Sequence, residues 1–150
     1  MHQFWKGRFS LKAIVLGSLA DTTGSLLYGF RTTFFSTFAA QIRRNASNIP
    51  QQLIHESYVQ LFHNLVVGTA FTFLGGYIAA RAARLSELKN SFGAGILSEL
   101  TACAFVLTSS QRFTHLWYDI ISLAVIIPAA VLGGYLRMRE IPPQPGPHEK

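Results

Sequence analysis

Two acids stand where a charged side chain does not rest by default. Asp21 lies about 13 Å of helix rise beyond Lys12, and Glu99 about 15 Å beyond Lys89, each inside a long apolar stretch. If those stretches cross a bilayer, both carboxylates sit near its midplane, with no Lys or Arg at that depth to pair with them. An unpaired, ionised acid in hydrocarbon is strongly unfavourable, so such residues face the bundle interior and often serve function. Two arrangements relieve the problem. Each acid can be protonated and hydrogen-bonded to hydroxyls such as Thr22, Thr23, Ser98 or Thr101. Alternatively, Asp21 and Glu99 face each other and share a proton. The chemistry on offer is a proton- or cation-responsive site, as in a small oligomeric transporter or channel. The plainer alternative is a buried polar clamp that fixes helix register.

A second group is His63, His115 and Asp119, near the same ends of the second and fourth apolar stretches. His115 and Asp119 are one helical turn apart, so with His63 they form a conceivable metal or haem ligand set. Lone histidines at such boundaries are more often amphipathic surface residues, and no metal or cofactor is expected. No nucleophile elbow, phosphate loop or dinucleotide fingerprint is present. The glycine pairs end helices instead of following strands, so the chain is not expected to be an enzyme.

The elements that must position these groups follow from composition. Charged residues are 13% of the 150, about half the roughly 25% of a soluble domain, against 49% apolar. Mean hydropathy is only +0.28, so the apolar character is concentrated in segments. A disordered chain is excluded by the aromatics, and a disulfide scaffold by the single cysteine, Cys103. A membrane-spanning helix needs about 20 apolar residues. Four stretches qualify, at about 12–31, 58–81, 90–111 and 116–136. A soluble bundle would need polar faces repeating at the helical period, and the second and fourth stretches have none. The reading is an all-α, four-span membrane protein.

Lys and Arg collect in short cytoplasmic loops. Four spans put Lys6, Arg8, Lys12, Arg81, Arg84, Lys89, Arg137, Arg139 and Lys150 on one side, and Arg31, Arg43, Arg44 and Arg112 on the other. That split of 9 against 4 places both termini in the cytoplasm. The net charge of +6 is then a topology signal. The cations sit at helix ends without a continuous stripe, so nucleic acid is not an expected partner. Lys6 to Ala20 also has the look of a cleavable signal peptide, but the apolar sequence runs on to Phe30. Gln41–Ser57 reads as the longest connection, with Thr32–Ile42 either extending the first helix or lying along the interface through Phe34, Phe35 and Phe38. Asn45-Ala46-Ser47 matches the glycosylation triplet, which matters only in a eukaryotic secretory context. Residues 140–150, with four prolines, read as a disordered tail.

The chain also reads as two tandem hairpin repeats. Leu74-Gly75-Gly76-Tyr77 with Arg81 recurs as Leu132-Gly133-Gly134-Tyr135 with Arg139. Ala13, Gly17, Asp21 and Gly24 align with Ser91, Gly95, Glu99 and Ala102, each quartet on one helical face. Gly17, Gly24, Gly75, Gly76, Gly133 and Gly134 are expected to let helices pack closely, as small residues do in lipid. Tyr77, Arg81, Tyr135 and Arg139 are expected to anchor the cytoplasmic interface. These paired Gly-Gly-Tyr-x-x-x-Arg endings resemble small bacterial four-helix inner-membrane proteins. The resemblance implies a bacterial inner-membrane location and brings no activity. The expected role is an accessory or assembly subunit acting through helix–helix association, as a homo-oligomer or within a larger complex. The alternative is the carboxylate-based transporter.

Overall fold

The computed structural model describes residues 9–46, 58–83, 86–108 and 116–140. Among them the chain forms four helices: α1 (Leu11–Ala46), α2 (Tyr58–Ala83), α3 (Glu87–Thr108) and α4 (Leu116–Arg139). Three of these, α2, α3 and α4, are long and apolar enough to cross a membrane. Helix α1 is longer, at 36 residues or about 54 Å, but falls short in apolarity. The reason is local: Asp21-Thr22-Thr23 and Ser25 dilute its middle.

The starts of α1 and α3 each have a specific cause. The Ser10 hydroxyl accepts the Ala13 N–H at 3.4 Å, satisfying one of the free donors at the start of α1. The Ser10 N–H in turn donates to Asn90 Oδ1 at 2.7 Å, tying α1 to α3. Asn90 is fully buried and returns its amide N–H to Ser86 O at 2.9 Å. Ser86 itself has φ 63°, a left-handed conformation that makes the sharp entry to α3 possible. Helix α4 runs through Pro128 without interruption. Helix α1 likewise continues unbroken to Ala46, so Thr32–Ile42 extends the helix. The Thr32 hydroxyl turns back onto Tyr28 O and Gly29 O, which removes the need for a polar partner elsewhere. Along this extension Phe30, Phe34 and Phe38 stack one turn apart, with ring centroids 6.3 and 6.4 Å apart. Residues 47–57, the proline-rich tail after Glu140 and the end of the glycosylation triplet lie outside the described residues.

The packing is inside-out relative to a soluble domain. Among the described residues the buried apolar side chains are six alanines (Ala13, Ala79, Ala80, Ala94, Ala129, Ala130) and one leucine, Leu61, and the buried polar ones are Ser, Thr, Asn and Asp. The large apolar residues point outward: Leu19, Leu26, Phe62, Phe105, Leu107 and Ile120 are all more than half exposed. Small residues line the centre because the helix axes approach closely. A side chain on Gly76 would run into the backbone of Ala130, and one on Gly133 into the backbone of Phe73.

Helices α2 and α3 form a shared seam, with α1 packed against both on one side and α4 against both on the other. Among the described residues α1 and α4 do not touch. That arrangement differs from the expected pair of equivalent hairpins, in which an axis relating them would set α1 on α4 as α2 sits on α3. The glycine pairs differ too. Gly75 turns to α1 and Gly76 to α4, whereas Gly133 turns to α2 and Gly134 to Ser91 of α3. The aligned residues Gly75 and Gly133 therefore face unlike neighbours.

Candidate functional site: a buried carboxyl among hydroxyls

Asp21 sits where α1, α2 and α3 meet. Gly17, one turn earlier, brings α1 down onto α2: a Cβ there would lie 2.6 Å from Gly75 O and 2.7 Å from the Ala79 Cβ. From the other side, a Cβ on Gly75 would lie 2.9 Å from the Asp21 Cβ. This approach leaves Asp21 only 6% exposed and within reach of Thr72, whose hydroxyl donates to Oδ1 at 3.1 Å. The Ser98 and Ser25 hydroxyls also border the carboxyl, and Ser98 Oγ donates to Ser18 Oγ at 3.3 Å. The result is an all-oxygen cluster drawn from three helices, with no cationic side chain in it.

Glu99 is not part of the cluster. It is partly exposed and, among the described residues, has no hydrogen bond or ion pair. The residue of α3 that faces Asp21 is its neighbour Ser98, about 100° around the helix. The expected pairing of Asp21 with Glu99 is therefore not formed, and Asp21 meets hydroxyls instead. Ser98 was an expected partner; Thr101 instead bonds its own Leu97 O at 2.9 Å. Thr72 carries the contact that the sequence reading missed. It lies on the same face of α2 as Gly75 and Ala79, and a hydroxyl within a small-residue face was the available signal.

The expected packing glycines all mediate close approach. Gly24 receives the Phe71 ring, and Gly134 receives the Ser91 side chain. Ser91, fully buried, offers its hydroxyl to Gly76 O at 2.9 Å and equally to Glu87 O. It pins α2, α3 and α4 at a second three-helix junction. These glycine faces are consumed inside the bundle, so they are not free to supply an oligomer surface.

Near the start of α2, His63 Nδ1 meets the hydroxyl of Tyr28, midway along α1, at 2.6 Å, and Tyr28 also donates to Asn64 Oδ1 at 3.2 Å. His63 is thus committed to α1. Asp119 lies on α4, and His115 is outside the described residues. Among the described residues no three His, Cys, Asp or Glu side chains come together as a metal-ligand set. Tyr28→Phe removes both contacts and is expected to lower stability by about 1 kcal/mol. The midpoint of thermal unfolding in mild detergent reads this out, and an unchanged midpoint would show the contact to be idle.

The four expected anchors differ in role. Tyr77 donates its hydroxyl to Glu140 Oε2 at 2.7 Å, whereas Tyr135 is exposed and Arg139 stacks over its ring at 5.3 Å. Arg81 is exposed. Arg137 Nη1 meets the same Glu140 oxygen at 3.1 Å. The Tyr77 hydrogen bond first, and Arg137 second, hold the Glu140 carboxyl below its ordinary value of 4.5. A depressed carboxyl stabilises the fold above its ordinary value, and that contribution disappears as pH falls through the lowered one. Wild type is therefore expected to lose midpoint on acidification from pH 5 to 3 by more than Glu140→Gln does. Parallel pH profiles for the two would sink this.

Comparison with family models, curated proteins and solved structures found no match for this chain.

Proposed function

We propose that the chain is an integral protein of a bacterial inner membrane, with four spans and both termini in the cytoplasm, acting through helix–helix association as an accessory or assembly subunit. The observation that carries the membrane reading is the inverted distribution of side chains. Leucines, phenylalanines and isoleucines cover the outside, while alanine, glycine and hydroxyl residues fill the centre. In water this surface would be an aggregation liability; in lipid it is solvated, and small residues are what hold helices together. Hydroxyls bonded to carbonyls one turn back, as in Thr69 to Leu65 O at 2.7 Å, fit the same environment. Helix α1 enters the membrane with Asp21 sheltered by its neighbours, which offsets its lower apolarity. The charge asymmetry supports cytoplasmic termini.

Alkaline carbonate extraction of broken cells tests insertion. The protein is expected in the pellet, and release to the supernatant would end the reading. Alkaline phosphatase and fluorescent-protein fusions at each terminus test orientation, and a stable partner after mild solubilisation tests the assembly role.

Asp21 keeps a second reading in view, that of a proton- or cation-coupled transporter. It now rests on one carboxyl, because Glu99 stands apart. A pH-dependent flux in proteoliposomes that Asp21→Asn abolishes would favour it.

A further inference from the structure

The end of the bundle where α2 and α4 stop gathers donors around one anion. Glu140, the first residue beyond α4, places a single carboxylate oxygen against the Tyr77 hydroxyl at 2.7 Å and Arg137 Nη1 at 3.1 Å. Arg81, one turn past Tyr77, acts on the same group electrostatically. Glu87, at the start of α3, is the other acid near Arg137. The guanidinium is only partly used: Arg137 Nε is buried and has no hydrogen-bond partner. Glu140 is half exposed on its side chain, and its backbone is held by one turn bond to Arg137 O, so it can withdraw without unwinding α4. What it would leave is the Tyr77 hydroxyl and the Arg137 guanidinium around an anion-sized position, with Glu87 the acid that remains near Arg137.

A phosphate oxygen is the natural replacement for that carboxylate oxygen. It carries the same sign of charge, accepts the same two donors, and offers further oxygens to a guanidinium fork that one carboxylate oxygen leaves unfilled. On the membrane reading, this end faces the cytoplasm, where basic side chains meet anionic headgroups.

We infer that Tyr77 and Arg137 form a phosphate-recognising site at the cytoplasmic end of the bundle, closed by Glu140 and opened when a phosphate group displaces it. The site rests on the proposed membrane topology for its lipid ligand. Phosphodiester headgroups and free phosphate share the chemistry, so the experiment separates them.

Wild type, Glu140→Gln, Glu140→Gln/Arg137→Gln and Glu140→Gln/Tyr77→Phe are purified in mild detergent. Thermal midpoints are titrated with dioleoylphosphatidylglycerol, dioleoylglycerol or sodium phosphate. Glu140→Gln is expected to bind phosphatidylglycerol about fivefold more tightly than wild type, the equivalent of removing one competing charge. Arg137→Gln or Tyr77→Phe in that background is expected to return the response to that of dioleoylglycerol, which has no phosphate. A matching response to sodium phosphate supports the site and assigns it to free phosphate. A Glu140→Gln variant that responds to phosphatidylglycerol and to phosphate no more than to dioleoylglycerol overturns it, as does a Glu140→Gln response that survives both second substitutions. Carbonate extraction reads the membrane topology separately: a protein released by carbonate whose Glu140→Gln variant still responds to phosphate loses the membrane reading and keeps the site.

Discussion

Gly76→Ala and Gly133→Ala are each expected to destabilise the bundle by about 1–3 kcal/mol or more, and Gly68→Ala to leave it unchanged or slightly firmer. At Gly76 the new methyl would meet the carbonyl of Ala130; at Gly133 it would meet the carbonyl of Phe73, with the Tyr77 nitrogen at 2.9 Å. Both obstacles are backbone, which cannot rotate aside as a side chain can, so α2 and α4 have to move apart. Parting them also strips dispersion contacts along the rest of the seam. At Gly68 and Gly29 nothing lies within 4 Å of the added carbon. There the ordinary helix preference for Ala over Gly, roughly 0.5–1 kcal/mol, is the only term left. Because Gly76 and Gly133 share one seam, the double variant is expected to lose less than the sum of the singles. Thermal midpoints in detergent measure all four. A Gly76→Ala variant as stable as Gly68→Ala would mean that α2 and α4 are not in close contact.

Asp21→Leu is expected to be about as harmful, and Asp21→Asn nearly silent for stability. Asparagine keeps the planar shape and the carbonyl oxygen that accepts the Thr72 hydroxyl. Leucine puts a branched carbon where Gly75 presses against the side chain, which is overpacking of about 1–3 kcal/mol. The displaced hydroxyls are not stranded, since Thr72 can turn to Gly68 O at 3.2 Å and Ser98 already bonds Ser18. The loss is therefore steric. A leucine variant as stable as wild type would show the three-helix junction to be looser than described. An asparagine variant that folds normally supports the clamp; the flux measurement on the same variant decides whether the carboxyl does anything more.

How much of this was legible in the sequence depends on what each residue could signal. Helices α2 and α4 follow from continuous apolar runs, and α3 survives Glu99 because the rest of that stretch is apolar enough. The extension of α1 to Ala46 was harder, since Thr32-Thr33-Phe34-Phe35-Ser36 has neither a breaker nor a clear period. The depth of Asp21 and Glu99 could be counted off in residues, but depth gives height along a helix and not the direction faced. One residue of rotation separates Glu99 from Ser98, and that decided which one met Asp21. Thr72 could not be told from Thr69 or Thr101 by type, as all three sit in apolar helices and bond the carbonyl one turn back. The repeated Gly-Gly-Tyr endings are a true sequence correspondence, yet which helix each glycine meets is set by the α2–α3 seam. Pattern matching along the chain does not reveal neighbours across it.

That seam has a bearing on synthesis. A ribosome delivers the helices in order, and α1, α2 and α3 can close on one another before Leu116 has been translated. On the proposed membrane reading, the Gly76 groove and the Ser91 side chain stand open to acyl chains until α4 arrives. The last helix is thus the keystone: its arrival covers the Gly76 groove and gives the Ser91 hydroxyl its place at a closed three-helix junction.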